Sequence, residues 1–205
     1  MTGRDQVAMR PPTSDLTGFP RKVVDAGRRW WRNHGPLGPW FFGSGPHGRF
    51  DLDSPGGTLY LASSAECATR ERIGFDQVRA GFVTVSEVAD RYLSEVTLPT
   101  AVDAAHTTSA DGLRWGVVAL ELAGTDDYTL TRAWAGAFAA AGFGGLWTLL
   151  RFSGPHGRGL VVFGDEGPRS WPVPATSTPL REFVETTMGL RVVDPPHSSG
   201  LTVLA

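Results

Sequence analysis

The sequence predicts an α+β domain in which short strands are interspersed with a few helices. Short apolar runs bounded by glycine and proline are typical of strands, and several such runs occur along the chain. Other segments carry a helix-capping signal or apolar residues at helical spacing. The 205 residues fit one domain, and 26 glycines and 15 prolines are spread without a repeat, which excludes collagen-like and low-complexity proteins.

The N-terminal segment differs in composition from the rest of the chain. It contains three prolines, few large apolar residues and no periodicity, so we expect a mobile extension over residues 1–20. A single domain is then expected over residues 21–205. The domain begins with an aromatic cluster made of Trp30, Trp31, Trp40, Phe41 and Phe42.

The clearest strand lies at residues 58–61, Thr-Leu-Tyr-Leu, after a proline–glycine turn. A helix is expected directly after it. Ser63 and Glu66 have the three-residue spacing of a capping box, in which each side chain caps a backbone N–H of the first turn. The pattern therefore predicts a helix over residues 64–73 that ends at Gly74.

The middle of the chain mixes both element types. A helical turn is expected at residues 86–90, followed by an alternating strand over residues 93–98. Residues 114–122 are apolar but short, so periodicity leaves a strand and a buried helix equally open. Residues 128–141 have apolar side chains at helical spacing, which predicts an amphipathic helix ending at Gly142.

The last third of the chain completes the expected sheet. Apolar runs predict strands at residues 146–152 and 159–163. A threonine–proline pair predicts the start of a helix over residues 179–187. A final pair of strands, at residues 190–193 and 201–204, is expected to close the sheet.

Composition excludes several classes of function. The net charge of −2 argues against a broad basic surface for nucleic acid, and no apolar run is long enough to span a membrane. The single Cys67 excludes an internal disulfide framework and a cysteine-rich metal site. The five histidines lack metal-ligand spacing, so no metal is expected. Since the N-terminus also lacks the apolar core of a secretion signal, a cytoplasmic protein is expected.

Two glycine-rich motifs invite a functional interpretation. The letters GxGxxG occur at residues 43–48, but no helix pattern follows them, so they do not predict a dinucleotide-binding turn. The hexapeptide Ser-Gly-Pro-His-Gly-Arg occurs twice, at residues 44–49 and 153–158. Two similar turns explain this repetition, and the functional alternative is that both loops present Arg and His to one anionic ligand.

Several segments in order resemble the RES domain family, which is named for its characteristic Arg, Glu and Ser. Taken alone, Glu71 between two arginines is typical of a solvated ion-pair residue. Its context is more specific, because the order and spacing of these segments together are similar to those of the family. The segments are Trp31-Arg32 before Pro39-Trp40-Phe41, residues 48–51, residues 57–62, Ala68 with Glu71, residues 128–135, residues 141–146 and residues 160–163.

The resemblance implies a fold related to ADP-ribosyltransferases and chemistry on NAD⁺. It also implies a toxin of a toxin–antitoxin pair, blocked by an antitoxin that carries a helix-turn-helix domain. By position, Arg32 and Arg49 are expected to hold the pyrophosphate or a neighbouring phosphate. Tyr60 is expected to line the nicotinamide pocket, and Glu71 to be the acid at the ribose. No metal and no direct contact with nucleic acid or membrane are implied.

The position of the family serine stays open. One alignment places Leu150 there, which removes a hydroxyl from the site. A small shift places Ser153 there instead, and Ser153 is then a further candidate catalytic residue.

These residue types suit cleavage of the bond between nicotinamide and ribose. Positive charge develops on the sugar, which a carboxylate stabilises, while arginines fix the diphosphate. The acceptor stays open between phosphate, water and a protein side chain. Two alternatives also remain: a non-catalytic nucleotide-binding module of RES type, and an enzyme of specialised metabolism acting on another nucleotide.

Overall fold

The structure is a computed structural model that describes residues 9–12 and 15–194. Its strands are β1 (Arg21–Val24), β2 (Arg29–His34), β3 (Phe41–Phe42), β4 (Gly56–Ala62), β5 (Phe82–Thr84), β6 (Tyr92–Thr97), β7 (Val102–His106), β8 (Gly145–Leu149), β9 (Arg158–Asp165), β10 (Gly167–Pro168), β11 (Thr178–Pro179) and β12 (Arg191–Val193). Its α-helices are α1 (Ala65–Ala80), α2 (Val85–Val88), α3 (Ala119–Gly124), α4 (Tyr128–Ala140) and α5 (Leu180–Thr186), with a 3₁₀ helix at Ala110–Trp115. None of these helices is long and apolar enough to cross a membrane.

One eight-stranded sheet organises the described chain, in the order β1-β7-β8-β9-β4-β2-β6-β11. Its neighbouring strands are antiparallel except for β7 and β8. The pairing is extensive between β4 and β9 and between β2 and β6, but β2 and β4 pair only at Trp31 and Ala62. The sheet therefore divides between β2 and β4, and this division opens the cleft described below.

Helix α1 begins at Ala65, one residue later than expected, because its N-cap is Ser64 rather than Ser63 of the predicted capping box. Ser64, at the N-cap, accepts a hydrogen bond from the Cys67 N–H at 3.2 Å, whereas Ser63 accepts one from the Arg158 N–H instead. Gly74 interrupts the helix with a φ of 76°, but the chain then resumes a helical course to Ala80. The expected end at Gly74 is thus a kink rather than a terminus.

Helix α4 confirms the amphipathic pattern of the sequence. The Asp127 side chain caps it by accepting from the Leu130 N–H at 3.1 Å, and Trp134 and Phe138 are buried against the sheet. The described part of the N-terminal segment packs on the same cluster, since Met9, Leu16 and Phe19 are also buried there. These three apolar side chains anchor the described part of the segment, and the mobile extension expected over residues 1–20 stays a prediction.

The expected strand at residues 146–152 is shorter in the structure. Strand β8 ends at Leu149, because the chain then turns and the Phe152 N–H binds the Glu71 carboxylate. At residues 114–122, neither a continuous strand nor a continuous helix forms: the 3₁₀ helix ends at Trp115, and α3 begins at Ala119.

The C-terminal expectations are wrong in part. Helix α5 begins one residue later than expected, because Pro179 is its N-cap and pairs with Tyr92 in the main sheet. Residues 191–193 form β12, which pairs in parallel with β5 in a separate two-stranded sheet and does not close the main one. The expected strand at residues 201–204 lies outside the described residues.

Candidate functional site

A cleft of about 390 Å³ lies where β2 and β4 separate. Its floor is formed by β4, β9 and β8, and its rim by α1, the loop before β4 and the first residues of α4. The cleft has both apolar and charged walls. Of the site residues expected from the sequence, Arg32, Arg49, Tyr60 and Glu71 all line it, and Ser153 does not.

Glu71 is the one carboxylate among the residues that line this cleft. Its Oε1 atom accepts hydrogen bonds from the Phe152 N–H at 2.7 Å and from the Ser153 hydroxyl at 3.2 Å. Burial raises the pKa of Glu71, and these hydrogen bonds and the Arg49 guanidinium oppose the rise. The side chain is therefore held in one orientation in a site that disfavours its charge.

Arg32 is a half-buried cation without a carboxylate partner in the described chain. Its guanidinium donates to the main-chain oxygens of Pro39 and of Phe41, the latter at 2.7 Å. Burial lowers the pKa of Arg32 to about 9, so the group stays protonated at neutral pH. A half-buried cation that contacts only neutral oxygens is expected to attract an anion.

Arg49 occupies another part of the rim. It donates to the Thr125 carbonyl, its guanidinium carbon lies 4.9 Å from the centre of the Tyr128 ring, and no described carboxylate pairs with it. Burial lowers its pKa, while Tyr128, Glu71 and Asp126 oppose this change. Like Arg32, Arg49 is thus free to bind an anionic ligand.

The loop that carries Arg49 is held by a dense set of hydrogen bonds. The Asp51 carboxylate accepts from the Gly48 N–H at 2.6 Å and from the Tyr60 hydroxyl at 2.8 Å. The Tyr60 oxygen in turn accepts from the Phe50 N–H at 2.8 Å, and Thr131 donates to the Arg49 carbonyl at 2.5 Å. These bonds fix the backbone on both sides of Arg49.

Tyr60 therefore also supports the Arg49 loop, a role that the sequence did not indicate. The residue is 36% exposed, and since its hydroxyl is enclosed by Asp51 and Phe50, the exposed part is available to the cleft. Burial, together with the Asp51 carboxylate, raises the pKa of Tyr60 well above its ordinary value. The phenol stays protonated and supports the Arg49 loop, and the expected contact with nicotinamide stays a prediction.

The structure places both candidates for the family serine. Leu150 lines the cleft and packs in an apolar cluster with Ala62 and Ala68. Ser153 lies behind Glu71 and reaches its carboxylate through a hydrogen bond. The two residues are thus not equivalent: Leu150 is in the cleft without a hydroxyl, and Ser153 has a hydroxyl that contacts the acid from outside the cleft.

Only one copy of the repeated hexapeptide faces the cleft. His47 and Arg49 line it, whereas His156 and Arg158 do not. Arg158 donates instead to the Pro155 carbonyl at 2.7 Å, within its own turn. The alternative in which both loops present Arg and His to one ligand is therefore wrong for the second copy.

Sequence reasoning missed several residues of the site. Two further arginines line the cleft, and each has a carboxylate partner. Arg72 pairs with Glu87 at 3.2 Å, and Arg151 pairs with Asp126 at 2.5 Å. Thr148 also lines it, and its buried hydroxyl has no hydrogen-bond partner in the described part of the chain. A threonine in an apolar strand carries no signal of this kind in the sequence. The described residues contain no cluster of metal-ligating side chains.

Comparisons with known proteins concern the family and the fold of the chain. The model of the RES domain family matches residues 29–183, which is most of the chain. Among solved structures, the chain is similar to the MbcT–MbcA toxin–antitoxin complex of M. tuberculosis, with a TM-score of 0.52 and 20% identical residues over 69% of this chain and 76% of that chain. This likeness confirms the expected α+β fold. A comparison with curated proteins finds no significant match.

Proposed function

Since the chain belongs to the RES domain family, we propose that it binds NAD⁺ in the cleft and cleaves the bond between nicotinamide and ribose. One observation carries the proposal. The cleft holds two cations, Arg32 and Arg49, that have no carboxylate partner in the described chain, together with the single carboxylate of Glu71. This pattern suits a ligand that is anionic at its diphosphate and cationic at its reacting end.

Arg32 and Arg49 bind the diphosphate in this mechanism. Guanidinium groups make paired, directional hydrogen bonds to phosphate, and the hydrogen bonds around the Arg49 loop hold one of these groups in place before the ligand arrives. Fixing the diphosphate positions the reacting bond against Glu71, which lowers the entropic part of the barrier.

Glu71 acts at the ribose. The bond between C1′ of the ribose and the pyridinium nitrogen breaks, and its electron pair leaves with neutral nicotinamide. The positive charge that develops on the sugar is stabilised by the ionised carboxylate. The bonds from Phe152 and Ser153 hold Oε1 in place during this step.

The acceptor then forms a new bond to C1′. With water, the products are ADP-ribose, nicotinamide and a proton, and with inorganic phosphate the product is ADP-ribose 1″-phosphate. With a protein side chain, the product is an ADP-ribosylated protein. All three acceptors share the same bond cleavage, so they are distinguished by their products.

A biological setting follows from the same relatives. The similar solved structure is that of a toxin–antitoxin complex, which supports a toxin that an antitoxin partner restrains. The helix-turn-helix domain of this partner and a cytoplasmic location are parts of the proposal. Expression of the chain in a bacterial host tests this setting. We expect the chain alone to stop growth, and co-expression of the gene adjacent to its own to restore it.

The decisive experiment follows NAD⁺ with the purified chain, with and without phosphate, by chromatography that resolves nicotinamide and the ADP-ribose products. We expect nicotinamide release that Glu71→Gln lowers by at least about 100-fold. Glu66→Gln is the matched control, because Glu66 lies on the same helix and makes only a 4.0 Å contact with Arg70. A wild-type chain that is folded but releases no nicotinamide contradicts the proposal.

A second candidate is a non-catalytic binding module, which the presence of Leu150 in the cleft favours. This module binds NAD⁺ through the same arginines but releases no nicotinamide. Calorimetric titration with NAD⁺ distinguishes the two. Binding with release indicates the enzyme, and binding without release indicates the module.

A further inference from the structure

Thr148 has a buried hydroxyl that forms no hydrogen bond within the described chain. The residue is 2% exposed, and its Oγ1 atom has no hydrogen-bond partner in the part of the chain that the structure describes. A buried hydroxyl without a partner destabilises the folded protein. Thr107 provides the contrast, because it is equally buried but donates to the Trp147 carbonyl at 2.9 Å. An unpartnered hydroxyl in a cleft indicates a missing ligand.

The hydroxyl lies on the floor of the cleft beside Leu150. Both residues are on the face of the sheet that Gly159 keeps open: a Cβ atom at position 159 would lie 3.3 Å from Thr148 Cγ2 and 2.7 Å from Leu150 Cδ2. Thr148 pairs with Gly159 across the strands, and Leu150 follows two residues later, just beyond the end of β8, with its side chain over the same glycine. Thr148 therefore lies two residues before Leu150, one of the two positions at which the family resemblance expects a serine.

The surroundings of Thr148 select the kind of ligand group. Leu150, Gly159 and Val161 line the cleft around it and provide no charge. A phosphate needs cations, and a ribose needs several polar partners, so neither fits this apolar floor. A flat ring with one neutral polar substituent fits, because the ring packs on the apolar residues and the substituent binds the single hydroxyl.

Resting on the proposed function, we infer that Thr148 is a positioning residue whose hydroxyl binds the carboxamide of the nicotinamide ring of NAD⁺. The hydroxyl, which has acceptor lone pairs, accepts a hydrogen bond from the amide N–H₂. In this chain it also supplies, from a neighbouring position on β8, the hydroxyl that Leu150 lacks.

Three variants test the inference, and the two valine variants have opposite expected effects on NAD⁺ binding and on the melting temperature. Thr148→Val keeps the shape and removes the hydroxyl, so we expect NAD⁺ binding to weaken by about three- to tenfold while the melting temperature stays equal or rises. Thr148→Ser keeps the hydroxyl and is expected to retain NAD⁺ affinity. Thr107→Val removes a partnered hydroxyl and is expected to lower the melting temperature without weakening NAD⁺ binding. A Thr148→Val variant that melts lower and binds NAD⁺ normally overturns the inference.

An analogue identifies the atom that Thr148 contacts. The 3-acetylpyridine analogue of NAD⁺ has a methyl group in place of the amide nitrogen. Calorimetry is expected to show that the wild-type chain prefers NAD⁺ and that Thr148→Val reduces this preference. Equal weakening of both ligands in the variant overturns the assignment to the amide N–H₂. A wild-type chain that binds neither ligand contradicts the proposed function itself, and one that binds both with no effect of Thr148→Val contradicts only the inference.

Discussion

The two copies of Ser-Gly-Pro-His-Gly-Arg have the same sequence and different positions relative to the cleft. The second residue of each copy, Gly45 or Gly154, has a positive φ, at 100° and 68°. The fifth, Gly48 or Gly157, is packed so closely that a Cβ atom would lie 2.3 Å from Asp51 Oδ1 or 2.4 Å from Ser153 Cβ. Both glycines are thus required for the same local reasons in both turns.

The two copies differ in what their ends contact. In the first copy, Arg49 lines the cleft and is held by Asp51 and Tyr60 through the adjoining backbone. In the second, Arg158 binds its own turn, and Ser153 at the other end reaches Glu71. The turn sequence thus determines its own backbone conformation, whereas the neighbouring elements determine which of its side chains face the cleft.

Replacing the arginine of each copy by glutamine is the strongest test of the difference between the two copies. Arg49→Gln is expected to lower kcat/KM for NAD⁺ by roughly 100-fold, because it removes a cation to which the proposed mechanism assigns the diphosphate. Arg158→Gln, the matched change in the other copy, is expected to change kcat/KM less than twofold. Steady-state release of nicotinamide measures both. Similar losses in the two variants would show that the copies are functionally equivalent.

Adding a methyl group to the crowded glycines tests the shared local requirement. Gly48→Ala and Gly157→Ala are both expected to lower the free energy of unfolding by about 1–3 kcal/mol, because each Cβ overlaps a neighbouring group. Only Gly48→Ala is expected to raise KM for NAD⁺ strongly, since it displaces Asp51 and with it the Arg49 loop. Denaturant unfolding and kinetics measure the two effects, and a Gly48→Ala variant with normal stability contradicts the close approach.

Glu71, whose carboxylate contacts Ser153 of the second hexapeptide, leads us to expect that activity depends on pH. Burial raises the pKa of Glu71 above its ordinary value of 4.5, and the proposed mechanism requires the ionised form. Activity is therefore expected to fall with acid at a pH above that of an exposed glutamate. A pH profile of kcat/KM measures this limb, and an acid limb at or below pH 4.5 contradicts it.

The raised pKa of Glu71 also predicts that the stability of the fold depends on pH. Because the pKa of Glu71 is higher in the folded than in the unfolded state, its ionisation destabilises the fold as pH rises through the interval between the two values. Glu71→Gln is thus expected to melt at an equal or higher temperature than the wild-type chain at neutral pH, with the difference vanishing in acid. Calorimetry at both pH values measures it, and a strongly lowered melting temperature at neutral pH is the contrary outcome.

The smallest expected effect concerns the serines that begin the two copies. The Ser153 hydroxyl lowers the pKa of Glu71, so Ser153→Ala is expected to move the acid limb to higher pH and to reduce activity about two- to threefold near the limb. Ser44→Ala is the matched control and is expected to leave the limb in place. Identical pH profiles for both variants would remove any role of Ser153 at the acid.

A large part of the site was predictable, because its residues belong to patterns of local sequence and of family resemblance. Arg32, Arg49, Tyr60 and Glu71 were all expected, and all four line one cleft. Thr148 was not predictable, since a strand threonine gives no sign of whether its hydroxyl has a partner. The use of Asp51 as a support for Tyr60 was missed for the same reason.

The sequence by itself determined the elements whose causes lie within a few residues. These include the start of α1 to within one residue, the amphipathic helix α4, the strand around residues 58–61, and the glycines of both hexapeptide turns. The tertiary structure decided where β2 leaves β4, which hexapeptide faces the cleft, and that Ser153 contacts Glu71 while Leu150 lines the floor. These outcomes depend on partners such as Glu71 and Phe152, 81 positions apart, and such pairs are chosen by packing of the whole domain rather than by local propensity.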